Sequence, residues 1–175
     1  ADLANYGEVG IDVATDFSKT GGVYDNYGLL RIGEGGRLDI AGDGQVLNLY
    51  SGMVTNAGTV DLNAIQLNFL GSKWAGNAPY LINSGLVIDP DATNAASFIV
   101  TGSSSWLNGN VLAGQEVWIR GDNGGGHTTV ALTNGFRNDG VLRLESRNAG
   151  YVSAMSIQTG TLTNGAGGFI RLEQG

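Results

Sequence analysis

The chain has 175 residues, of which 42% are hydrophobic and only 14% charged, with a net charge of −7, 30 Gly, two Pro and no Cys. The apolar share argues against disorder, and the acidic balance argues against nucleic acid, which calls for a basic stripe. The absence of Cys excludes disulfide staples and thiolate metal centres. With 16 Asn beside the Gly excess, the composition predicts many short strands joined by tight turns rather than long helices. No apolar run approaches the roughly 20 residues that span a bilayer, so no membrane insertion is expected. The start carries neither an initiator Met nor a charged and apolar leader. It reads as a mature or excised piece whose export signal lies elsewhere.

In chain order, a Gly followed by alternating apolar positions recurs seven times, led by Gly7, Gly28, Gly58, Gly85, Gly109, Gly140 and Gly168. The second and fourth residues after each Gly should share one strand face, because side chains alternate. Those positions read Val9/Ile11, Leu30/Ile32, Val60/Leu62, Val87/Asp89, Val111/Ala113, Leu142/Leu144 and Ile170/Leu172. Thirteen of the fourteen are apolar, whereas the positions between them are mixed and include Glu8, Arg31, Asp61, Arg143 and Arg171. One face of each strand is therefore predicted dry and the other wet.

Further strands are predicted between these units at Arg37 to Ile40, Gln45 to Leu49, Ile65 to Phe69, Ser97 to Val100, Glu116 to Ile119 and Ser153 to Ile157. A single turn of helix near 92–97 is the one helical expectation. The Gly spacings of 21, 30, 27, 24, 31 and 28 residues suit one coil of a solenoid with two or three strands, and are irregular for a propeller blade. The expected fold is all-β: a right-handed parallel β-helix (β-solenoid) of about seven irregular coils, occupying residues 1–175 as a single domain. Stacking should set Arg143 against Arg171 and Glu145 against Glu173, with diagonal Arg–Glu contacts relieving the repulsion. Neither end looks capped, which predicts a segment of a longer repetitive protein or one paired with another chain.

Asn-x-Gly occurs seven times, starting at Asn5, Asn26, Asn56, Asn83, Asn123, Asn138 and Asn148. Asn bonds its own backbone and Gly takes positive φ, so these read as turns entering strands. Amide ladders are the second reading. Accordingly Gly7, Gly28, Gly58, Gly85, Gly140 and Gly168 are expected to be structural turn glycines.

These Asn-x-Gly-x-apolar-x-apolar units, above all Leu132-Thr133-Asn134-Gly135 and Leu162-Thr163-Asn164-Gly165 with the Arg-Leu-Glu strands that follow, resemble the coils of filamentous-haemagglutinin-like adhesins and autotransporter passenger domains. The resemblance implies an exported bacterial protein, secreted or at the cell surface, with a β-helical shaft used for adhesion or as scaffold. It lies in turn and core positions and carries over no functional residue.

Chemistry-bearing residues are few. His127 is the only His and follows Gly124-Gly125-Gly126 in a loop, so no catalytic residue is assigned to it. Paired carboxylates are the route to an enzyme, because inverting glycoside hydrolysis needs an acid and a base about 6.5–9.5 Å apart. Asp89 with Asp91, Asp12 with Asp16, and Asp39 with Asp43 are the pairs to place. Asp89 stands at an inward position unless Pro90 ends the strand and turns it outward. No cofactor motif is present. Weak Ca²⁺ binding at Asp89 and Asp91, or in the loops around Asp43 and Asp122, is the metal expectation. Trp74 and Trp106 lie in Gly- and Ser-rich surroundings and are the expected sugar platforms, while Trp118 sits in an apolar strand and is expected in the core. The function expected is a non-enzymatic structural or adhesive module. Its partners are a second copy, neighbouring coils of a longer chain, polysaccharide or a host surface. The alternative is a carbohydrate-active β-helix that binds or cleaves polysaccharide.

Overall fold

The computed structural model describes residues 2–148 and 150–174. They form an all-β parallel solenoid of about seven turns, without helices. Each coil has three faces. The first face is an eight-stranded sheet running from the Leu3–Asn5 strand to the Ser153–Ile157 strand. The third is also eight-stranded and runs from Ala14–Asp16 to Phe169–Gln174. The second face is interrupted: it holds Glu8–Ile11, Leu29–Ile32, Met53–Asn56 and Lys73–Gly76, then Phe136–Asn138 and Leu162–Asn164. Seven steps of about 4.8 Å make the stack ~34 Å long.

Parallel pairing in register places equivalent positions of successive coils directly over one another. On the first face one inward column reads Leu3, Tyr24, Leu47, Leu67, Leu86, Leu107, Leu132 and Ile157. On the third face the matching column reads Ile40, Leu62, Leu81, Val100, Ile119, Leu144 and Leu172. Leu67, Leu86, Leu62, Leu81, Val100 and Ile119 have no exposed surface. Each such side chain contributes about 1.5–3 kcal/mol by leaving water. Strands this short, three to seven residues, hold no stable sheet alone, so the columns are what make the coil persist.

The Gly-led units do not mark one repeated position. Gly7 and Gly28 open second-face strands, Gly58, Gly140 and Gly168 open third-face strands, and Gly85 begins the first-face strand Gly85–Ile88. Gly109 precedes only an isolated bridge at Val111. The coil lengths, taken along the first-face column, are 21, 23, 20, 19, 21, 25 and 25 residues. The motif recurs at any of three corners, so its spacing mixes coil length with corner identity.

The dry-face phase holds at Ile11, Leu30, Ile32, Val60, Leu62 and Leu142, which are buried. It slips by one residue at Gly85. There Leu86 and Ile88 point inward, and Val87 and Asp89 lie on the outward, partly exposed side. Asp89 therefore does not interrupt the core. The helical turn near 92–97 is absent: buried Ala92 closes the turn at Pro90 by donating to the Asp89 carbonyl, and Ala96 opens the strand Ala96–Thr101.

None of the six predicted turn glycines has a φ in the left-handed region. Close approach between coils is the constraint instead. A Cβ on Gly28 would overlap the Gly7 carbonyl oxygen, and one on Gly85 would overlap the Trp106 ring. At Gly7 an added Cβ meets nothing within 4 Å. The Asn residues before them serve both predicted roles. Asn5 Oδ1 accepts the Gly7 N–H at 3.1 Å while its Nδ2 donates to Asn26 Oδ1 at 2.7 Å. Asn138 and Asn164 repeat the ladder at 2.7 Å.

Two predictions follow from the stacking. Urea unfolding of Leu67→Ala should show a loss of about 2–5 kcal/mol, the cost of an unfilled core column. Gly28→Ala should cost about 1–3 kcal/mol through overpacking, while Gly7→Ala changes stability by less than about 1 kcal/mol. Equal effects at the two glycines would contradict the close-approach explanation.

Candidate functional site

The third face carries an outward column whose character changes along the axis. Along the axis one column reads Asp16, Asp39, Asp61, Tyr80, Ile99, Trp118, Arg143 and Arg171. Three carboxylates stand at one end, apolar and aromatic groups in the middle, and two guanidinium groups at the other end. At the acidic end Arg37 bonds Asp39 at 2.8 Å and Asp61 at 2.9 Å. Desolvation nevertheless raises the Asp61 carboxyl above its ordinary value, against the pull of Arg37. At the basic end Arg143 stacks on the Trp118 ring at 4.0 Å and bonds Glu173 at 2.6 Å and Glu145 at 3.2 Å. Arg143 faces Arg171 and Glu145 faces Glu173 in register, as the repeated Arg-Leu-Glu strands require.

Trp118 thus lies on the outward side, not in the core. Ile119 is the inward residue of that strand, and the run Val117-Trp118-Ile119 conceals the alternation. Arg120 packs over the rings of Trp118 and Tyr80, at 4.8 and 4.6 Å from their centroids, and donates to the Tyr80 hydroxyl. It is only 3% exposed and bonds Asp122 at 2.6 Å. The 122–127 loop is folded around that carboxylate, whose Oδ1 accepts the N–H groups of Gly124 at 2.8 Å and Gly125 at 3.0 Å. Burial pushes the Asp122 carboxyl up, but the Gly125 N–H, the Arg120 charge and the Gly124 N–H together hold it below its usual value.

A second feature lies on the first face. The Trp106 ring covers Gly85, and beside it runs an open groove lined by Ser103, Ser104, Thr129, Thr133, Ser156 and Gln158. Trp74 does not join it. Its side chain is half-buried against the core on the second face, and its Nε1 donates to the Asn77 carbonyl at 2.9 Å. The two predicted sugar platforms are on different faces of the coil. A third feature, not foreseen as a unit, is a corner stack of Tyr6, Tyr27 and Tyr50, with centroids 4.8 and 4.3 Å apart and nearly parallel rings. Tyr27 is covered on both faces, whereas Tyr6 ends the stack and is 75% exposed. The hydrogen bond of Tyr27 with Tyr50 raises the Tyr27 phenol to about 12.

The candidate carboxylate pairs are engaged separately. Asp89 Oδ1 accepts the Asp91 N–H at 2.8 Å and so closes the turn at Pro90. Asp12 accepts Arg31 at 2.7 and 3.1 Å, and its carboxyl is lowered by that contact. Asp16 Oδ1 accepts the Ser18 N–H at 2.8 Å, and Asp43 is exposed in a turn. Among the described residues no group of three or more His, Asp or Glu is placed to hold a metal ion. His127 Nδ1 accepts the Val152 N–H at 3.2 Å, and its ring packs edge-on against Tyr151. Comparison with protein-family models, with curated proteins and with solved structures gave no match. The class of the protein is therefore defined by its fold, a parallel β-solenoid.

Asp122→Asn should cost about 3–5 kcal/mol, because it leaves Arg120 as an uncompensated buried charge. Because the folded pKa is depressed, this stability is complete above the ordinary Asp value of 3.8 and is lost as pH falls through the lower folded value. Acid unfolding monitored by circular dichroism should accordingly lose part of its slope below that point in the variant. In an ultraviolet pH titration, one tyrosine should ionise near pH 12 and that late phase should vanish in Tyr27→Phe.

Proposed function

We propose that this chain is a non-enzymatic structural and adhesive module: a β-solenoid shaft that holds polar faces for binding or assembly, from a bacterial protein that is secreted or at the cell surface. One observation carries this reading. The inward columns stack apolar on apolar from the first described coil to the last, which is the construction of a rod extended by adding coils. The outward polar groups support it, because they bond along the axis to the next coil. Asn48 donates to Asp25 at 2.8 Å and Asn68 donates to Asn48 at 2.7 Å. The resemblance to filamentous-haemagglutinin-like and autotransporter-passenger coils points the same way.

A carbohydrate-binding reading is favoured by the Trp106 groove alone, where an aromatic ring is rimmed by hydroxyl groups. A panel of polysaccharides separates the two. The shaft reading expects no depolymerisation by the wild-type chain, and depolymerisation abolished by Asp89→Asn would overturn it. Glycan binding that drops at least tenfold in Trp106→Ala, with no cleavage, would make the groove a binding site on the shaft.

A further inference from the structure

The middle of the first face is arranged around Trp106 in a way that a shaft alone does not require. One outward column reads Val46, Gln66, Gly85, Trp106 and Ala131, from five successive coils. The indole therefore has Gly on one side and Ala on the other, and no large side chain stands beside it. It is half-buried, and its ring lies over the Gly85 backbone in the space that a Cβ would fill. Among the described residues no second ring, cation or hydrogen-bond acceptor pairs with it. By contrast, Arg143 covers Trp118 and the Asn77 carbonyl holds the Trp74 Nε1. Two clefts meet at Trp106. Toward the later coils runs the groove of about 520 Å³, and toward the earlier coils lies a cleft of about 250 Å³ bordered by Val46, Gln66 and Gly85. In the groove the hydroxyls of Ser103, Ser104, Thr129 and Thr133 bond to no described residue. The outward amides of Gln66, Asn68 and Asn48 bond one another instead. Among the described residues Asp43 is the one charged group lining either cleft.

From this we infer that the two clefts hold one extended, uncharged glycan, which runs along the solenoid axis and stacks a sugar ring on Trp106. The indole offers a broad apolar face to the C–H side of a sugar, while its Nε1 and the free hydroxyls supply polar contacts at the rim. The direction follows from the placing of the clefts, one on each side of Trp106 in successive coils. The charge follows from the lining. A uronate or sulfate group would meet Asp43 and no cation, in a chain whose net charge is already −7. The inference rests on the carbohydrate-binding reading of the groove and adds to it the charge, direction and length of the ligand.

Titration calorimetry tests it with disaccharides and hexasaccharides of the cello-, xylo-, manno-, malto- and laminari- series, beside galacturonate and glucosamine hexamers. A neutral hexasaccharide should bind about tenfold or more tightly than its disaccharide and than either charged hexamer, with no loss in high salt. Trp106→Ala should weaken it by about tenfold, the loss of one stacked ring, while Trp106→Phe keeps most of the affinity. Ala131→Phe fills the groove and Val46→Phe fills the other cleft. Each should weaken the hexasaccharide by about tenfold, whereas the disaccharide responds to no more than one of them. Indole emission gives a second readout that does not need the alanine variant. The hexasaccharide should shift it in the wild type and in Trp74→Phe, but not in Trp106→Phe. Tighter binding of a charged hexamer, equal binding of disaccharide and hexasaccharide, or indifference to either filled cleft would overturn the inference and leave Trp106 as a local sugar site. No binding across the panel, or binding indifferent to Trp106→Ala, would overturn the carbohydrate reading with it.

Discussion

Parallel strands one coil apart sit about 4.8 Å from each other, and in-register pairing carries every residue over its counterpart in the next coil. Most features of this protein are responses to that repetition. Inward positions must be apolar in every coil, because a single polar residue would be buried between two hydrophobic neighbours without a partner. Buried Gln115 and Thr128 are exceptions that bond across coils, Gln115 to the Ala92 carbonyl and Thr128 with Thr101, and Asn is another. Its amide both donates and accepts, so Asn5 bonds Asn26, and Asn138 bonds Asn164, in ladders along the axis. Glycine appears where the backbone of one coil turns across the carbonyl of the coil below, as at Gly28.

The same repetition is a problem for charge. Stacked identical charges repel, and the chain handles this in two ways. At the basic end, carboxylates from the neighbouring column are drawn in: Arg143 bridges Glu145 and Glu173 while lying on Trp118. At the acidic end, Arg37 reaches two coils, Asp39 and Asp61, at once. A pair as open as Arg37 with Asp39 is worth under about 1 kcal/mol. The Arg120–Asp122 pair differs because it is buried, and the loop N–H groups complete its shell of donors. That loop gives the surface a local fixed point that the coils themselves do not supply.

The architecture was legible in the sequence because alternation survives in strands such as Gln45–Leu49 and Ser153–Ile157, which were predicted at these bounds. Strands such as Lys73–Gly76 and Ala14–Asp16 were missed, since their short runs carry almost no apolar alternation and are held by the coils above or below. The phase at Gly85 was misread because that glycine looks like the others but sits inside a strand to admit Trp106. Trp118 was placed inward because its apolar neighbours hide its stacking on Arg143, a contact 25 residues distant in sequence. The graded column itself was invisible before the coil lengths were known. Its members come from eight different strands, and irregular corners hide which residues coincide.

The account stands on one geometric claim, that these residues share columns with a fixed rise. The chain has no Cys, so spin labels attached at introduced cysteines are unique. Label pairs at positions 61 and 143 and at 39 and 143 are four and five coils apart on one column. Electron–electron distance measurement should return about 19 Å and ~24 Å, differing by one coil rise. Distances that do not step by that rise, or that match no common column, would contradict the solenoid register and everything built on it.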